Sequence, residues 1–407
     1  MGRQETYNKR GDKKNMNDKI SILTQLRQRL PEYELCEGSR EHLEDIYRLL
    51  TGNEEFLKNT QAHEQTMEEC EEALVVCPPQ VTAENKHFLV IYENKECVAL
   101  LDYLEGYPEK ETAYIGLFVV DASRHGNGIG RRINDAFMRA AQCCGYRSIK
   151  LGCHRRNESG YWFWRKNRYI AEAMTSMEND GQTWEILRMV CDISNPHMFE
   201  PEEARGTSYR PEEEKDYRAA ESMTRRAFWN RHHPGCDEHY LVHCLRPDAA
   251  FVPEISLVAE VDGKIVGGIW YSKSQVKTDT ETHQILTFGP LCVAPEYQGT
   301  GVGGQLLERS MRLAKEAGYP GIIIFGEPGY YPKHGFVTCD NFGITTPDGK
   351  NFDAFMGIEL QDGAFEQMRG GRFFEAEVFE HLYAEKVLAF DKEFPHMERL
   401  RVPGQWE

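Results

Sequence analysis

The sequence predicts an α/β fold laid down twice. A strand, a glycine-rich turn and an amphipathic helix follow one another over residues 285–314, and the same succession stands 173 positions earlier. A paired-strand signal precedes each copy. Phe88 to Tyr92 and Cys97 to Tyr103 flank a polar turn, and Leu257 to Tyr271 turns at Asp262-Gly263, a dipeptide suited to a two-residue hairpin.

In the later copy an apolar run, Ile285 to Val293, includes Leu291, Cys292 and Val293 and leads into Ala-Pro-Glu-Tyr-Gln298-Gly299-Thr300-Gly301-Val302-Gly303-Gly304. Leu306, Leu307, Ser310, Met311 and Ala314 then recur at helical spacing. The glycines leave backbone N–H groups uncovered at the helix start. With the positive end of the helix dipole they make a seat for an anion. The dipole part is worth about 0.3–1 kcal/mol per charge. The turn lacks the Lys-Ser/Thr ending of a nucleotide P-loop and the G-x-G-x-x-G spacing with a following acid. On the glycines alone, a Rossmann-type cofactor and a purely structural strand–helix corner stay open.

The earlier copy reads Val119-Val120-Asp-Ala-Ser-Arg124-His125-Gly126-Asn127-Gly128-Ile129-Gly130-Arg131. Both helices run to a Gly-Tyr pair, Gly145-Tyr146 and Gly318-Tyr319, again 173 positions apart. Each then enters an apolar strand, Ile149 to Cys153 and Ile322 to Phe325. Self-similarity on this scale predicts a duplicated domain and not a solenoid.

The expected order is a disordered basic tail over 1–18, a first domain over 19–195, an exposed linker over 196–211 and a second domain over 212–407. Ile20 to Leu30 predicts a helix ended by Pro31. Glu37 to Glu72 predicts acidic helices, with one stripe through Leu43, Ile46, Leu49 and Leu50 and a second from Met67 to Val75. The second domain opens with a helix around Glu213 to Trp229. It closes with a strand over Phe355 to Leu360, a strand or hairpin near Gly370 to Val378, and a helical tail ending near Pro395.

A chain of 407 residues suits two or three domains. The net charge of −17 disfavours nucleic-acid binding and draws cationic small molecules weakly. No run of about 18 apolar residues predicts a membrane span, and no secretory core opens the sequence. Twelve cysteines without a C-x-x-C pair suit reduced thiols in a cytoplasmic protein. His232, His233, Cys236, His239, His243 and Cys244 cluster, but at no standard zinc spacing, so no metal is expected.

Gln298-Gly-Thr-Gly301-Val-Gly303 resembles the Gln/Arg-x-x-Gly-x-Gly/Ala pyrophosphate motif of the GNAT (GCN5-related N-acetyltransferase) family, and the repeat extends that resemblance over most of the chain. The resemblance implies two GNAT domains, each a mixed sheet of six to seven strands flanked by helices. It implies acetyl-CoA as acyl donor, its pyrophosphate on Gln298–Gly304 and on His125–Arg131. The pantetheine arm would lie beside Leu291, Cys292 and Val293, or beside Val119 and Val120, where the strand splays from its neighbour. The stretch from Pro234 to Tyr271 is similar to the bacterial YhbS type.

A second signature of the family is an aromatic pair, three residues and Gly-Phe, here Tyr330-Tyr331-Pro-Lys-His334-Gly335-Phe336. By resemblance Tyr331 is the general acid that protonates the leaving thiolate, a task a positioned phenol can perform. Glu327, aligned with His154, is the candidate to lead a water chain to the amine. Asp237, Glu238, Trp229 and Tyr240 lie in the segment that borders the acceptor pocket in this fold. The first half departs from the pattern. His125 replaces Gln/Arg, Trp164 stands at the acid position, and Arg168-Tyr169 replaces Gly-Phe, so that copy is expected to be weakly active or non-catalytic. The implied function is acetyl transfer to a primary amine of a small, cationic acceptor by direct attack. An acetyl-CoA-binding sensor without turnover is the alternative, and self-association stays open.

Overall fold

The structure is a computed structural model that describes residues 21–179, 181–200 and 205–406. The tail expected over 1–18 and the start of the first helix at Ile20 lie outside the described residues. Among the described residues, two mixed sheets of seven and eight strands form the frame, with helices flanking them. The second sheet thus has one strand more than expected. The chain divides into two compact units: one runs up to Asn53 and resumes over Gln65–Ile149, the other joins Glu54–Glu64 to everything from Lys150 onward.

The first unit opens with α1 (Ile22–Arg29), where the Ser21 hydroxyl accepts the Thr24 N–H and Ile22, Leu23 and Leu26 turn inward. After β1 (Glu34–Glu37), α2 (Leu43–Thr51) buries Ile46, Leu49 and Leu50. Then α3 (Glu54–Thr60), part of the other unit, precedes α4 (Met67–Ala73). Helix α4 starts in a Thr66/Glu69 capping box and stops short of Val75, which is exposed. Strands β2 (Lys86–Glu93) and β3 (Glu96–Glu105) form the expected hairpin, and Asn94 and Lys95 take the positive φ its tight turn needs. Strand β4 (Thr112–Val120) adds antiparallel to β3 and feeds α5 (Ile129–Cys143), whose Phe137 meets Tyr103 edge to face at 5.1 Å.

Strand β5 (Ser148–His154) begins in the first unit and ends in the second. The second unit continues with α6 (Glu158–Lys166) and the hairpin β6 (Ile170–Asn179) and β7 (Gln182–Asp192). The segment expected as an exposed linker follows. It holds Met198 fully buried and Arg205 nearly so, because Arg205 donates back to the carbonyls of His197 and Glu200.

Then come β8 (Ser208–Pro211), α7 (Tyr217–Phe228), α8 (Glu238–Leu245), β9 (Leu257–Val261), β10 (Lys264–Lys277) and β11 (Thr282–Val293). After α9 (Val302–Glu316) follow β12 (Gly321–Phe325), β13 (Val337–Thr338), β14 (Phe355–Glu359), β15 (Arg372–Phe374) and α10 (Ala384–Asp391). The strands run β13-β14-β12-β11-β10-β9-β8, with β15 added on β10. The strand or hairpin expected near Gly370 to Val378 is that single strand, joined to β10 at Gln275↔Phe374. One core, built on Trp270, Tyr271, Leu306, Leu307, Ile322 and Phe336, lies between this sheet and its helices.

Candidate active site

The two glycine turns close alike. A single 3-10 turn, at Ala122–Arg124 and at Pro295–Tyr297, leads to Gly126 and Gly128 in one copy and Gly299 and Gly301 in the other, all at positive φ. Gly128 and Gly301 are the N-caps of helices that are each 15 residues long. No atom lies within 4 Å of where a Cβ would sit on Gly126, Gly128 or Gly299, so the space above these glycines is open. The first intrahelical donors are Arg132 and Gln305. The N–H groups of Val302, Gly303 and Gly304, and of Ile129, Gly130 and Arg131, therefore have no helix partner and face the turn. Arg131 adds an exposed guanidinium where the second copy has Gly304.

The residue that opens each motif does one job in both copies. The Gln298 amide donates to the Val293 carbonyl at 3.0 Å, and the His125 Nε2–H donates to the Val120 carbonyl at 3.0 Å. The departure at His125 thus keeps the donor and the acceptor five residues back.

In the second unit the strand before the turn parts from its neighbour. β11 is in parallel register with β12 only at Leu286↔Ile322. On its other side it stays paired with β10 to Gly267↔Val293. The Ala294 N–H donates to the Val266 carbonyl, which fixes the alternation of the ladder: Cys292 faces β10, and the N–H groups of Leu291 and Val293 face the parted side. Cys292 turns its side chain inward to Thr224, 3.4 Å away. Burial, opposed by that hydroxyl, pushes its thiol up to about 12, so it presents no thiolate nucleophile.

Tyr331 stands on the far side of that gap, at the start of a 3-10 turn after β12. Gly326 makes room for it, since a Cβ there would meet the Tyr331 ring at 2.4 Å. Phe288 and Phe336 fix the ring, at 5.8 and 5.5 Å between centroids. Burial above all raises its pKa, Tyr330, Cys292 and Glu327 add to that, and Arg231 opposes it, so the phenol keeps its proton at neutral pH. Among the described residues no group hydrogen-bonds its hydroxyl. Tyr330 packs edge-on to it and carries its own hydroxyl over Gly303, 3.3 Å from where a Cβ would sit. Glu327 is exposed at the strand end.

In the first copy, Trp164 is buried between Phe163 and Tyr169, and Tyr161 is buried as well. His154 packs on Trp184 at 5.4 Å, its pKa lowered by burial. Arg168 takes the positive φ that Gly335 takes in the second copy.

Of the four acceptor-side residues, Trp229 is a latch: its indole donates to the Glu398 carbonyl at 2.9 Å under the Arg225 guanidinium. Tyr240 is half-buried against Phe390. Asp237 pairs with His233 at 2.9 Å. Glu238 opens α8, and burial first, then Asp237, pushes its carboxyl up to about 7. Helix α8 packs over β11, with Leu241 against Gly289. The clustered histidines are taken up by packing and hydrogen bonds: His232 stacks on Trp406, His243 meets Glu221, and His239 and His243 both pack on Phe390. Among the described residues no group of three or more His, Cys, Asp or Glu side chains is placed to hold a metal ion.

Sequence reasoning missed the C-terminal tail and Asn230. The Asn230 side chain accepts from the N–H groups of Gly235 and Leu400, and its amide donates to the Glu398 carbonyl. Gln405 donates to the Asn230 carbonyl. The tail therefore clamps the turn between α7 and α8. No residue pattern marks this clamp; Asn230 takes a left-handed backbone, which its residue type tolerates.

Comparison with known proteins finds a match in each half of the sequence. A model described as the acetyltransferase (GNAT) family matches residues 43–169, and one described as the acetyltransferase (GNAT) domain matches residues 253–338. The chain is similar to the uncharacterized N-acetyltransferase YjhQ of Escherichia coli K12, 36% identical over 99 residues, which are 24% of this chain and 55% of that protein. The chain thus spans about half the length of that relative. It is 29% identical over 134 residues to the uncharacterized N-acetyltransferase YhbS of the same strain, covering 33% of this chain and 78% of the relative. A crystal structure of E. coli YhbS in complex with CoA aligns with 43% of this chain and 92% of its own, at 27% identity and a TM-score of 0.38. With a matched domain in each half, the chain belongs to the GNAT acetyltransferase family.

Proposed function

We propose that the chain is an acetyl-CoA-dependent N-acetyltransferase that modifies the primary amine of a small cationic acceptor. The first copy (19–195) binds or braces, and the second (212–407) carries the chemistry. The observation that carries this reading is the parting of β11 from β12 beside an open glycine turn, with the partnerless Tyr331 phenol on the far side.

The free N–H groups of Val302 to Gly304 suit a pyrophosphate. The outward N–H groups of Leu291 and Val293 suit the pantetheine arm and the thioester oxygen, where fixed donors stabilise developing charge. The amine attacks the thioester carbon, a C–N bond forms and the C–S bond breaks. Tyr331 gives its proton to the departing thiolate. The amine's own proton leaves on the acceptor side, where Glu238 is matched to neutral pH and Glu327 opens to solvent. The buried, protonated Cys292 favours direct attack over an acyl-cysteine intermediate. The acidic chain and the Asp237–Glu238 pair favour a cation. All twelve cysteines are free, in keeping with a cytoplasmic setting, and no helix among the described residues is long and apolar enough to cross a membrane.

The test is to incubate the protein with acetyl-CoA and a panel of amines and follow free thiol. Release with one class of amine supports the reading and names the acceptor. Tight acetyl-CoA binding without release on any amine would replace the enzyme with a sensor.

A further inference from the structure

We propose that Arg168 is a positioning residue for the glycine turn of the second copy, so that the altered acid loop of the first copy serves the working site of the second. The inference rests on Gln298–Gly304 being the acetyl-CoA seat.

The guanidinium joins two chain segments far apart in sequence. Its Nε–H donates to the Gln298 carbonyl at 3.0 Å, and a terminal N–H donates to the Met198 carbonyl at 3.2 Å. The ring of Phe199 lies 5.9 Å away. Gln298, the last residue before Gly299, is thus held from outside its own turn.

The backbone at Arg168 shows that this placement has a cost. Its φ is +74°, a region that disfavours residues with a Cβ, and the corresponding place in the second copy is Gly335 at +90°. The two loops otherwise close alike: Tyr169 N–H donates to the Trp164 carbonyl at 3.1 Å, and Phe336 N–H to the Tyr331 carbonyl at 3.4 Å. Glycine is what that backbone prefers. An arginine there is accounted for by what its side chain reaches.

What it reaches bears on the anion seat. The Gln298 carbonyl and the Gly299 N–H belong to one planar peptide group and point in opposite directions. Fixing the carbonyl from behind fixes the direction of the N–H in front. A guanidinium on the oxygen also polarises the peptide and makes its N–H a stronger donor. Since Gly299, which carries that N–H, leaves the turn free to rotate, an outside brace is what keeps the donor aimed.

The experiment compares the full-length protein with R168G, which relieves the left-handed backbone while removing the brace. Three quantities are read: melting temperature, amide exchange of the free protein, and CoA affinity by calorimetry. The brace predicts a melting temperature equal to or above that of the parent, faster exchange confined to residues 298–301, and CoA bound about 3- to 10-fold more weakly, with kcat at saturating acetyl-CoA unchanged. Unchanged exchange at the turn and unchanged affinity would overturn it. A lower melting temperature with faster exchange throughout the chain would overturn it too, by making Arg168 a fold residue. If the parent itself does not bind CoA, the cofactor reading of the turn falls, and the exchange result still decides whether Arg168 holds it.

Discussion

Two side chains in the second copy carry opposite electrostatic tasks. In the proposed reaction Tyr331 holds a proton until a thiolate appears, and burial among Phe288, Phe336 and Tyr330 keeps the phenol protonated. Glu238 must part with its charge more readily than an exposed carboxylate, and burial beside Asp237 raises it from 4.5 to about 7. A raised carboxylate favours the folded state in its protonated form. Its contribution is therefore full below about pH 4.5 and is lost as pH rises through about 7. Glu238→Gln should remove that slope, on the order of 1–3 kcal/mol between the two limits. Urea denaturation at pH 5 and pH 8 measures it, and equal slopes in parent and variant would show that Glu238 is not the group responsible. The sequence placed both residues by resemblance and spacing. It did not carry the pKa of Glu238, which comes from burial that only the packing of α8 on β11 creates.

At the scale of the element, the glycine turns were the most legible part of the chain. Their positive φ values, caps and helix lengths follow from the residue types, and Gly301 at +97° has no substitute without a Cβ. Gly301→Ala should cost about 1–2 kcal/mol through backbone strain alone, which thermal or denaturant melts would register, and it should weaken CoA binding as the first turn of α9 shifts. A variant of unchanged stability would mean that the turn relaxes to another conformation. His125 is where reading by residue type misled. It departs from Gln/Arg, yet it makes the same hydrogen bond to the carbonyl five residues back. His125→Gln should therefore leave the melting temperature of the protein in place, while His125→Ala should cost about 0.5–1.5 kcal/mol by leaving the Val120 carbonyl without its partner. Equal stability of the two variants would show that this bond holds nothing. The parting of β11 from β12 was not read from residue pattern. It entered the expectation through the family resemblance alone.

Across the whole molecule, duplication was legible because strand, turn, helix and next strand recur at one fixed offset of 173 positions. Segments whose role depends on distant partners were not legible. The tail beyond Pro395 has no periodicity, and its contacts fall on Asn230, Trp229 and His232, about 170 residues away. The segment near 196–211 reads as linker by its prolines and charges, but it buries Met198 and receives Arg168. Both were hidden for one reason: long-range hydrogen bonds to backbone carbonyls leave no mark on composition. Division of labour between the copies is the central claim, and Tyr331→Phe tests it most directly. With the amine that best releases thiol, turnover of the variant should fall about 100-fold while its acetyl-CoA dissociation constant by calorimetry stays within about twofold of the parent's. Turnover equal to the parent's at the same affinity would contradict the account.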